Sequence, residues 1–236
     1  MYGTAITLGC SEVPELLANL GYDWLFIDAE HAPLDYRTML GLLQASGKEC
    51  PGVIRLPDHQ EVSIKKALDI GAAGIIVPQV NTADQARNIV RYAKYPPQGA
   101  RGIGPARANV YGYTFEESVK SANQETAVLV QAEHKDVLEN IEEIVKVEGV
   151  DAVFVGPYDL SASFGKAGQV NDPEVWDAIG YIASVCIKAG MKLAIFGGSP
   201  EYLKPFKDRG FTVFVCGTDM GLLTQSAIQN LKLLKD

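Results

Sequence analysis

The chain has 236 residues, of which 47% are hydrophobic, and its formal net charge at pH 7 is -8. This length and apolar content support one large hydrophobic core, while the acidic balance argues against nucleic acid or an anionic membrane as a partner, because both are bound through basic surfaces. No apolar run approaches the ~20 residues that span a bilayer, and the amino end lacks the pattern of a signal peptide, so we expect a cytoplasmic protein.

Apolar runs alternate with helical patterns along almost the whole chain. The predicted strands cover residues 5–8, 24–28, 52–56, 74–78, 127–131, 152–155, 192–196 and 212–216. The predicted helices cover residues 12–20, 35–46, 61–70, 82–95, 114–122, 135–147, 173–189, 200–209 and 220–234. This alternation predicts a (β/α)8 TIM barrel of the α/β class, because an open doubly wound sheet of this length would have fewer strands and a glycine-rich turn after the first. We expect a single domain over residues 1–236.

One connection is much longer than the others. Residues 96–113 (PPQGARGIGPARANVYGY) separate two predicted helices and are rich in glycine, proline and arginine. Connections in α/β units usually have roughly two to six residues, and longer ones are often functional. We therefore predict a functional loop over the site.

Two acidic residues follow neighbouring predicted strands. Glu133 comes just after the strand 127–131, and Asp159 comes shortly after the strand 152–155. Parallel α/β proteins build their active sites at the carboxyl ends of their strands, so we expect these carboxylates to lie close together. With the Gln131 amide beside them they form a set of oxygen donors that suits Mg²⁺ or Mn²⁺ and leaves positions open for a substrate. The pattern favours a divalent-metal site.

The second and third predicted strands end in residues suited to acid–base chemistry and anion binding. His31 lies three residues after Asp28, whose carboxylate would fix one tautomer of the imidazole and raise its basicity. A structural histidine in the loop is the alternative. Arg55 ends an apolar strand and needs an anionic partner, either a structural carboxylate or a substrate oxyanion.

Longer motifs occur in a characteristic order over nearly the whole chain. They are DWLFIDAEHAP (23–33), GAAGIIVP (71–78), YPP followed by RG (95–97 and 101–102), and VEGVD followed by GPYDLS (147–151 and 156–161). Together they resemble the HpcH/HpaI aldolases, which are class II, metal-dependent pyruvate aldolases typified by 4-hydroxy-2-oxoheptanedioate aldolase and 2-dehydro-3-deoxyglucarate aldolase. The resemblance implies a barrel of the phosphoenolpyruvate/pyruvate type.

The resemblance also implies roles for individual residues. Glu133 and Asp159 would hold a divalent metal (Mg²⁺, Mn²⁺ or Co²⁺) that pyruvate chelates through its carboxylate and keto oxygens. Arg55 would face the pyruvate enolate, and His31, paired with Asp28, would serve in acid–base chemistry. The substrate-binding positions would be Gln131, Gly156, Pro157 and Tyr158. Members of this family form trimers and hexamers that often exchange the last helix, here residues 220–234, so we expect a homotrimer or homohexamer.

The favoured function is therefore a metal-dependent aldolase that cleaves a 4-hydroxy-2-oxo acid into pyruvate and an aldehyde through a pyruvate enolate. Another metal-enolate lyase or decarboxylating enzyme is the alternative, such as a citramalyl- or malyl-thioester lyase or a macrophomate-synthase-like catalyst. A long thioester would need a basic groove, which this acidic chain does not indicate. A non-catalytic scaffold is disfavoured, because it would not need unpaired charges at strand ends.

Three departures from the family pattern fall where the aldehyde half of the substrate would bind. Thr7 occupies a position where the family has tryptophan, and Tyr158 replaces the alanine of the usual G-P-A-D motif. Residues 104–109 (GPARAN) replace a loop segment that is usually richer in serine and alanine. We expect these changes to affect the choice of aldehyde rather than the chemistry of the enolate.

Overall fold

Eight parallel strands close into a barrel in chain order, and the first strand pairs with the last. A computed structural model describes residues 1–235 of the chain. The strands are β1 Tyr2–Ile6, β2 Trp24–Asp28, β3 Gly52–Arg55, β4 Gly74–Val77, β5 Ala127–Ala132, β6 Ala152–Val155, β7 Lys192–Gly197 and β8 Val213–Thr218. The helices are α1 Glu12–Asn19, α2 Tyr36–Ser46, α3 Glu61–Asp69, α4 Ala83–Ala93, α5 Phe115–Glu125, α6 Val137–Ile144, α7 Pro157–Ser163, α8 Pro173–Ala189, α9 Pro200–Lys207 and α10 Asp219–Lys235, and a 3-10 helix spans Arg107–Gly112. The predicted (β/α)8 TIM barrel is confirmed.

Alternation along the strands divides their side chains between two apolar layers. Because successive strand residues point to opposite faces, Trp24 and Phe26 of β2 point into the barrel, whereas Leu25 and Ile27 pack in the layer between strands and helices. The inner layer consists of Ala5, Trp24, Phe26, Val53, Ile76, Leu129, Ala152, Phe154, Ala194 and Val215. The ring centroids of Phe26 and Phe154 are 5.7 Å apart. These rings fill the interior below the carboxyl-terminal rim.

The first strand begins and ends earlier than predicted, at Tyr2–Ile6 rather than 5–8. Its first residues pair with both β2 and β8, and this tertiary pairing outweighs the low strand propensity of Gly3. The backbone N–H of Thr7 donates to the Asp219 carboxylate at 2.9 Å instead of to a neighbouring strand. The strand therefore ends one residue before Thr7.

Helix α7, which the sequence analysis did not predict, follows β6 directly. Pro157 occupies its first turn, where the fixed φ of proline suits a helix start and its missing N–H is not needed. Asp159 lies in the same turn, close to the positive end of the helix dipole. The short helix thus holds Asp159 at the carboxyl-terminal face of the barrel.

The long connection lies at the amino-terminal face of the barrel, so the predicted position over the site is wrong within this chain. Arg107 donates from Nη1 to the carbonyl oxygens of Ile70 and Gly71, at 3.0 and 3.2 Å, just before β4 begins. Arg101 also binds Asp69 at the end of α3, with Nη2 2.7 Å from Oδ1. The physical reason is connectivity, because a segment that leads from a helix to the next strand returns to the end of the barrel where strands begin.

The final helix, α10, stands largely in solvent. Asp219 is its one buried residue, although the helix carries several large apolar side chains. Those with substantial exposure are Met220, Leu222, Leu223, Ile228, Leu231, Leu233 and Leu234. A helix whose apolar residues are exposed in this way gains little stability from its own subunit. None of the helices in residues 1–235 combines the length and the apolar character needed to span a membrane.

Candidate active site

Polar side chains from three strands, with a glycine after a fourth, occupy inward-facing positions at the top of the barrel. The inward alternation that places Phe26, Val53, Leu129 and Phe154 in the inner core brings the next inward positions to the rim. Those positions are Asp28 on β2, Arg55 on β3, Gln131 on β5 and Gly156 after β6. The period of two therefore explains why residues far apart in sequence meet at one end of the barrel.

Arg55 is held by two carboxylates at this rim. Its Nε and Nη2 donate to Oδ1 and Oδ2 of Asp28 at 3.0 and 2.7 Å, and Nη1 lies 3.2 Å from Oε2 of Glu30. The guanidinium also lies over the ring of Phe26, 5.0 Å from its centroid. Burial acts to raise the pKa of Asp28, but the hydrogen bonds and charge of Arg55 outweigh it and the pKa is lowered. The sequence left two kinds of partner open for Arg55, a structural carboxylate or a substrate oxyanion. In the structure its partners are the carboxylates of Asp28 and Glu30.

Glu30 is a site residue that the sequence analysis missed. Burial raises the pKa of its carboxyl group, against the charge of Arg55. Its Oε2 atom is buried and, within residues 1–235, accepts no hydrogen bond of good geometry despite the ion pair with Arg55. The sequence did contain a signal for Glu30: it is two positions beyond the inward-facing Asp28, so the alternation of a strand would also direct it inward.

His31 lies at the rim with an exposed ring, 64% accessible. The predicted pairing of this ring with Asp28 is not what the structure shows. Asp28 Oδ1 accepts the backbone N–H groups of Glu30 and His31 at 3.1 and 3.3 Å, and both carboxylate oxygens bind Arg55. The imidazole Nε2 lies 3.8 Å from Oε2 of Glu30 instead. A bidentate arginine occupies the carboxylate that sequence reasoning had given to the histidine.

Glu133 is the most deeply buried carboxylate of the site, at 1% exposure. Its Oε1 accepts the backbone N–H of Gln79 at 2.7 Å, and its Oε2 accepts the side-chain amide of Gln131. Burial raises the pKa of Glu133 to about 7, and the charges of Asp159 and Glu30 act in the same direction. The hydrogen bonds from Gln79 and Gln131 therefore offset only part of the cost of burying a negative charge on Glu133.

The backbone around Glu133 is adapted to its position. Gln79 has a φ of 53°, an uncommon value for a residue other than glycine, and this conformation presents its N–H to the carboxylate. A Cβ atom on Gly156 would lie 2.7 Å from Oε2 of Glu133, so this close approach requires glycine. Sequence reasoning treated Pro78-Gln79 as a turn, and no signal in the sequence distinguished it as part of the site.

The residues present fit a hard divalent cation. Glu133 and Asp159 bring two negative charges together, and Oε1 of Gln131 is a buried oxygen that, in residues 1–235, receives no hydrogen bond. No group of three or more histidine, cysteine or acidic side chains is arranged for metal binding in this part of the chain. A cation here would therefore have two carboxylate ligands and take its remaining oxygens from water and substrate.

These residues surround a cavity of about 340 Å³ at the carboxyl-terminal face. Every predicted site residue except the buried Glu133 lines it: Asp28, His31, Arg55, Gln131, Gly156, Pro157, Tyr158 and Asp159. Its other lining residues are Ala5, Thr7, Phe26, Phe154, Phe196 and Thr218. The lining combines the charged groups of Asp28, Arg55 and Asp159 with the aromatic rings of Phe26, Phe154, Tyr158 and Phe196.

The chain is similar to proteins of one family over nearly its whole length. The family model described as HpcH/HpaI aldolase/citrate lyase matches residues 11–226. A 4-hydroxy-2-oxovalerate aldolase from Rhodococcus jostii is 40% identical over 208 residues, covering 87% of this chain and 78% of that protein. A 4-hydroxy-2-oxo-heptane-1,7-dioate aldolase from Shigella flexneri is 39% identical, covering 95% of this chain and 85% of that one. The crystal structure of an HpcH/HpaI aldolase/citrate lyase family protein from Burkholderia cenocepacia superimposes with a TM-score of 0.96 at 33% identity, covering 100% of this chain and 95% of that one.

Proposed function

The chain belongs to the HpcH/HpaI aldolase/citrate lyase family and is a carbon–carbon lyase of the pyruvate aldolase type, and we propose that its rim cavity is the active site and is metal-dependent. The reaction is cleavage of a 4-hydroxy-2-oxo acid into pyruvate and an aldehyde, and its reverse. One observation carries the proposed site: Glu133, whose pKa is raised to about 7 by burial and also by the charge of Asp159, is buried next to a cavity that Asp159 and Arg55 line.

Glu133 and Asp159 would hold the divalent metal, and we propose Mg²⁺, Mn²⁺ or Co²⁺ because the donors are oxygens. When bound, the metal supplies Lewis-acid stabilisation of negative charge on the substrate oxygens. Gln131 positions Glu133 by donating to its Oε2. Gly156 leaves the space beside that oxygen open.

Arg55 stabilises the enolate that remains when the C3–C4 bond breaks. A guanidinium has five N–H donors, and Asp28 and Glu30 engage three of its nitrogens without using all five hydrogens. The bidentate pair with Asp28 fixes the plane of the group, so the remaining donors have a defined direction at the cavity wall. Arg55 is thus oriented before substrate binds, which is the condition for effective electrostatic stabilisation.

His31 is the proposed base that accepts the proton of the C4 hydroxyl group, directly or through water. Its exposed ring lines the cavity, and its backbone N–H is anchored to Asp28. Glu30, 3.8 Å from the ring, carries the negative charge that would stabilise the imidazolium after proton transfer. Asp28 therefore acts on the loop and on Arg55, not on the imidazole.

The test is release of pyruvate from a panel of 4-hydroxy-2-oxo acids. We expect a chelator to abolish activity and Mg²⁺, Mn²⁺ or Co²⁺ to restore it, and we expect Glu133→Gln to remain inactive under the same conditions. Glu142→Gln on the exposed surface of α6 is the matched control and should behave as wild type. Full activity in chelator would refute the metal-dependent site.

We also propose that the protein is a homotrimer or homohexamer in which α10 packs on another subunit. The support is the exposed row of leucines in α10, of which Leu223 and Leu234 are 60% and 84% accessible. An apolar surface of this kind marks an interaction site, and a second copy of the chain is the partner available in any solution of the protein.

A further inference from the structure

We propose that His59 is a positioning residue for the metal site, because its ring holds the backbone peptide group that binds Glu133. The inference rests on the proposed function, in which Glu133 is a ligand of the divalent metal. It adds a side chain that lies outside the cavity and acts on the site through one peptide group, the one between Pro78 and Gln79.

This peptide group is bonded at both of its polar ends. Nε2 of His59 lies 2.5 Å from the carbonyl oxygen of Pro78, and the N–H of Gln79 donates to Oε1 of Glu133 at 2.7 Å. A carbonyl oxygen can only accept, so Nε2 carries the proton in this bond. The carbonyl and the N–H share one rigid plane and, in a trans peptide, point in opposite directions. A bond at one end therefore fixes the direction of the other.

The backbone at Gln79 needs this support. Its φ of 53° lies in the left-handed region, which is unfavourable for a residue other than glycine and persists where the surroundings impose it. Two of the attachments lead to β5: the bond to Glu133, and the bond from the N–H of Val80 to the carbonyl oxygen of Gln131 at 3.2 Å. His59 lies between β3 and α3, so it holds the turn from the other side of β4.

The bond from Gln79 favours the form of Glu133 that a metal requires. Burial raises the pKa of Glu133, and the hydrogen bond from Gln79 acts against this shift. Donation by His59 to the carbonyl polarises the peptide group and makes its N–H a stronger donor, because hydrogen bonds in a chain strengthen one another. Loss of the His59 bond should therefore loosen Glu133 and favour its protonated form, which does not bind metal.

The loop around His59 is itself ordered by a local hydrogen bond. Oδ1 of Asp58 accepts the backbone N–H of Gln60 at 2.9 Å, which is a turn typical of aspartate, and His59 is its middle residue. The ring is partly buried, and within residues 1–235 it is not among the side chains that line the cavity. Its position therefore suits action through the peptide group and not contact with substrate.

Two variants of His59 separate a hydrogen-bond donor from a side chain that only fills space. His59→Leu removes the donor, whereas His59→Gln retains an N–H group near the position of Nε2. We expect isothermal titration of Mn²⁺ into chelated protein to show about tenfold weaker binding for His59→Leu and binding within about threefold of wild type for His59→Gln. Gln60→Leu is the matched control and should bind as wild type, because Gln60 is exposed and its side chain does not cap α3.

Hydrogen exchange of the Gln79 amide, followed by NMR in chelated protein, reports on the peptide group without metal. We expect exchange to be about tenfold faster in His59→Leu, which is the effect of one lost hydrogen bond on a local opening, and nearly unchanged in His59→Gln. Wild-type Mn²⁺ affinity and exchange in His59→Leu would overturn the inference. So would a His59→Gln variant that behaves as His59→Leu, because the donor would then not be what matters.

Nitrogen NMR of the histidine ring in wild type needs no variant, so it decides the question if His59→Leu does not fold. We expect the neutral ring of His59 to carry its proton on Nε2, and a proton on Nδ1 instead would exclude the bond to Pro78. If Mn²⁺ binds wild type and both His59 variants equally but binds Glu133→Gln weakly, the inference fails and the proposed function stands. If wild type binds no Mn²⁺, the proposed function fails and the inference with it.

Discussion

At the scale of single residues, the site is a set of charges that the protein only partly compensates. Arg55 is paired with both Asp28 and Glu30, while Glu133 keeps a raised pKa because it is buried and its charged neighbours are themselves acidic. Groups with strongly shifted pKa values in a cleft are characteristic of functional sites. Substitution of the paired Arg55 and substitution of the partly compensated Glu133 should therefore have different consequences.

Arg55→Ala and His31→Ala should separate the two halves of the reaction. Exchange of the pyruvate methyl protons requires stabilisation of the enolate alone, so we expect Arg55→Ala to lose both exchange and aldol cleavage by at least about a hundredfold. His31→Ala should mainly reduce cleavage, by about 10²–10⁴-fold. Both rates can be followed by proton NMR. Normal exchange in the arginine variant would remove Arg55 from the stabilisation of the enolate.

The raised pKa of Glu133 predicts how the stability of the metal-free protein depends on pH. A carboxyl group whose folded pKa of about 7 exceeds its unfolded value of about 4.5 favours the folded state at low pH, and this contribution is lost as the pH rises towards 7. We expect chelated wild type to lose about 2.5 kcal/mol relative to Glu133→Gln between pH 5 and pH 8. Urea unfolding of both proteins at several pH values measures this. Parallel pH profiles would contradict the prediction.

Metal affinity should follow the same ionisation. Isothermal titration of Mn²⁺ into chelated protein should show tighter binding with pyruvate present, because the substrate supplies two oxygens. Glu133→Gln should weaken Mn²⁺ binding by at least about ten- to a hundredfold, as even losses outside the direct ligands do. Binding should also weaken as the pH falls below 7, because the metal must displace a proton from Glu133. Unchanged affinity in the variant would exclude Glu133 as a ligand.

At the scale of elements, the junction between β6 and α7 carries one carboxylate of the proposed metal site and approaches the other. Gly156 ends the inward alternation of β6 next to Glu133, and the first turn of α7 then carries Asp159. A strand followed at once by a short helix brings the two carboxylates together without a flexible loop. The close approach of this junction to Glu133 depends on the absence of a side chain at Gly156.

Gly156→Ala should therefore damage the site more than the fold. The added Cβ would lie 2.7 Å from Oε2 and 2.9 Å from Cβ of Glu133, so we expect a loss of about 1–3 kcal/mol in unfolding free energy and a large loss of Mn²⁺ affinity. Gly180→Ala is the control, because a Cβ there has open space within α8 and should stabilise the helix by up to about 1 kcal/mol. Wild-type Mn²⁺ affinity in Gly156→Ala would show that the pocket can relax.

At the scale of the whole molecule, one subunit leaves the large apolar side chains of α10 without a packing surface. α10 begins at the site, where Asp219 binds the backbone after β1, and continues into solvent with its leucines exposed. Assembly of several copies would cover these side chains and would link the integrity of the rim to the oligomer.

Light scattering coupled to gel filtration tests the assembly. We expect wild type to have three or six times the chain mass of 25.5 kDa, and Leu223→Asp with Leu231→Asp to reduce it, because the charges would be desolvated in an apolar interface. Gln225→Asp with Gln229→Asp in the same helix is the matched control, since it adds the same charge at positions that are already polar. A monomeric wild type would refute the proposed oligomer.

The sequence by itself determined the barrel and most of the residues at its rim. Apolar runs of four to six residues that alternate with helices leave few other ways to bury both faces of a parallel sheet, and strand ends then place Asp28, Arg55, Gln131 and Glu133 at one face. The family motifs pointed to the same positions. Local patterns were sufficient here because the side-chain period of a strand fixes which residues point inward.

The tertiary structure alone decided which charged groups pair and where the long connection lies. Arg55 and His31 are both plausible partners for Asp28 in sequence, and only the distances at the rim assign the carboxylate to the arginine. In the same way, only the structure shows that Glu30 contacts Arg55 and that the backbone N–H of Gln79 binds Glu133. The physical reason is that Coulomb and hydrogen-bond energies change when the distance between two groups changes by a few tenths of an ångström. Distances between residues that are far apart in sequence are not encoded in any local pattern.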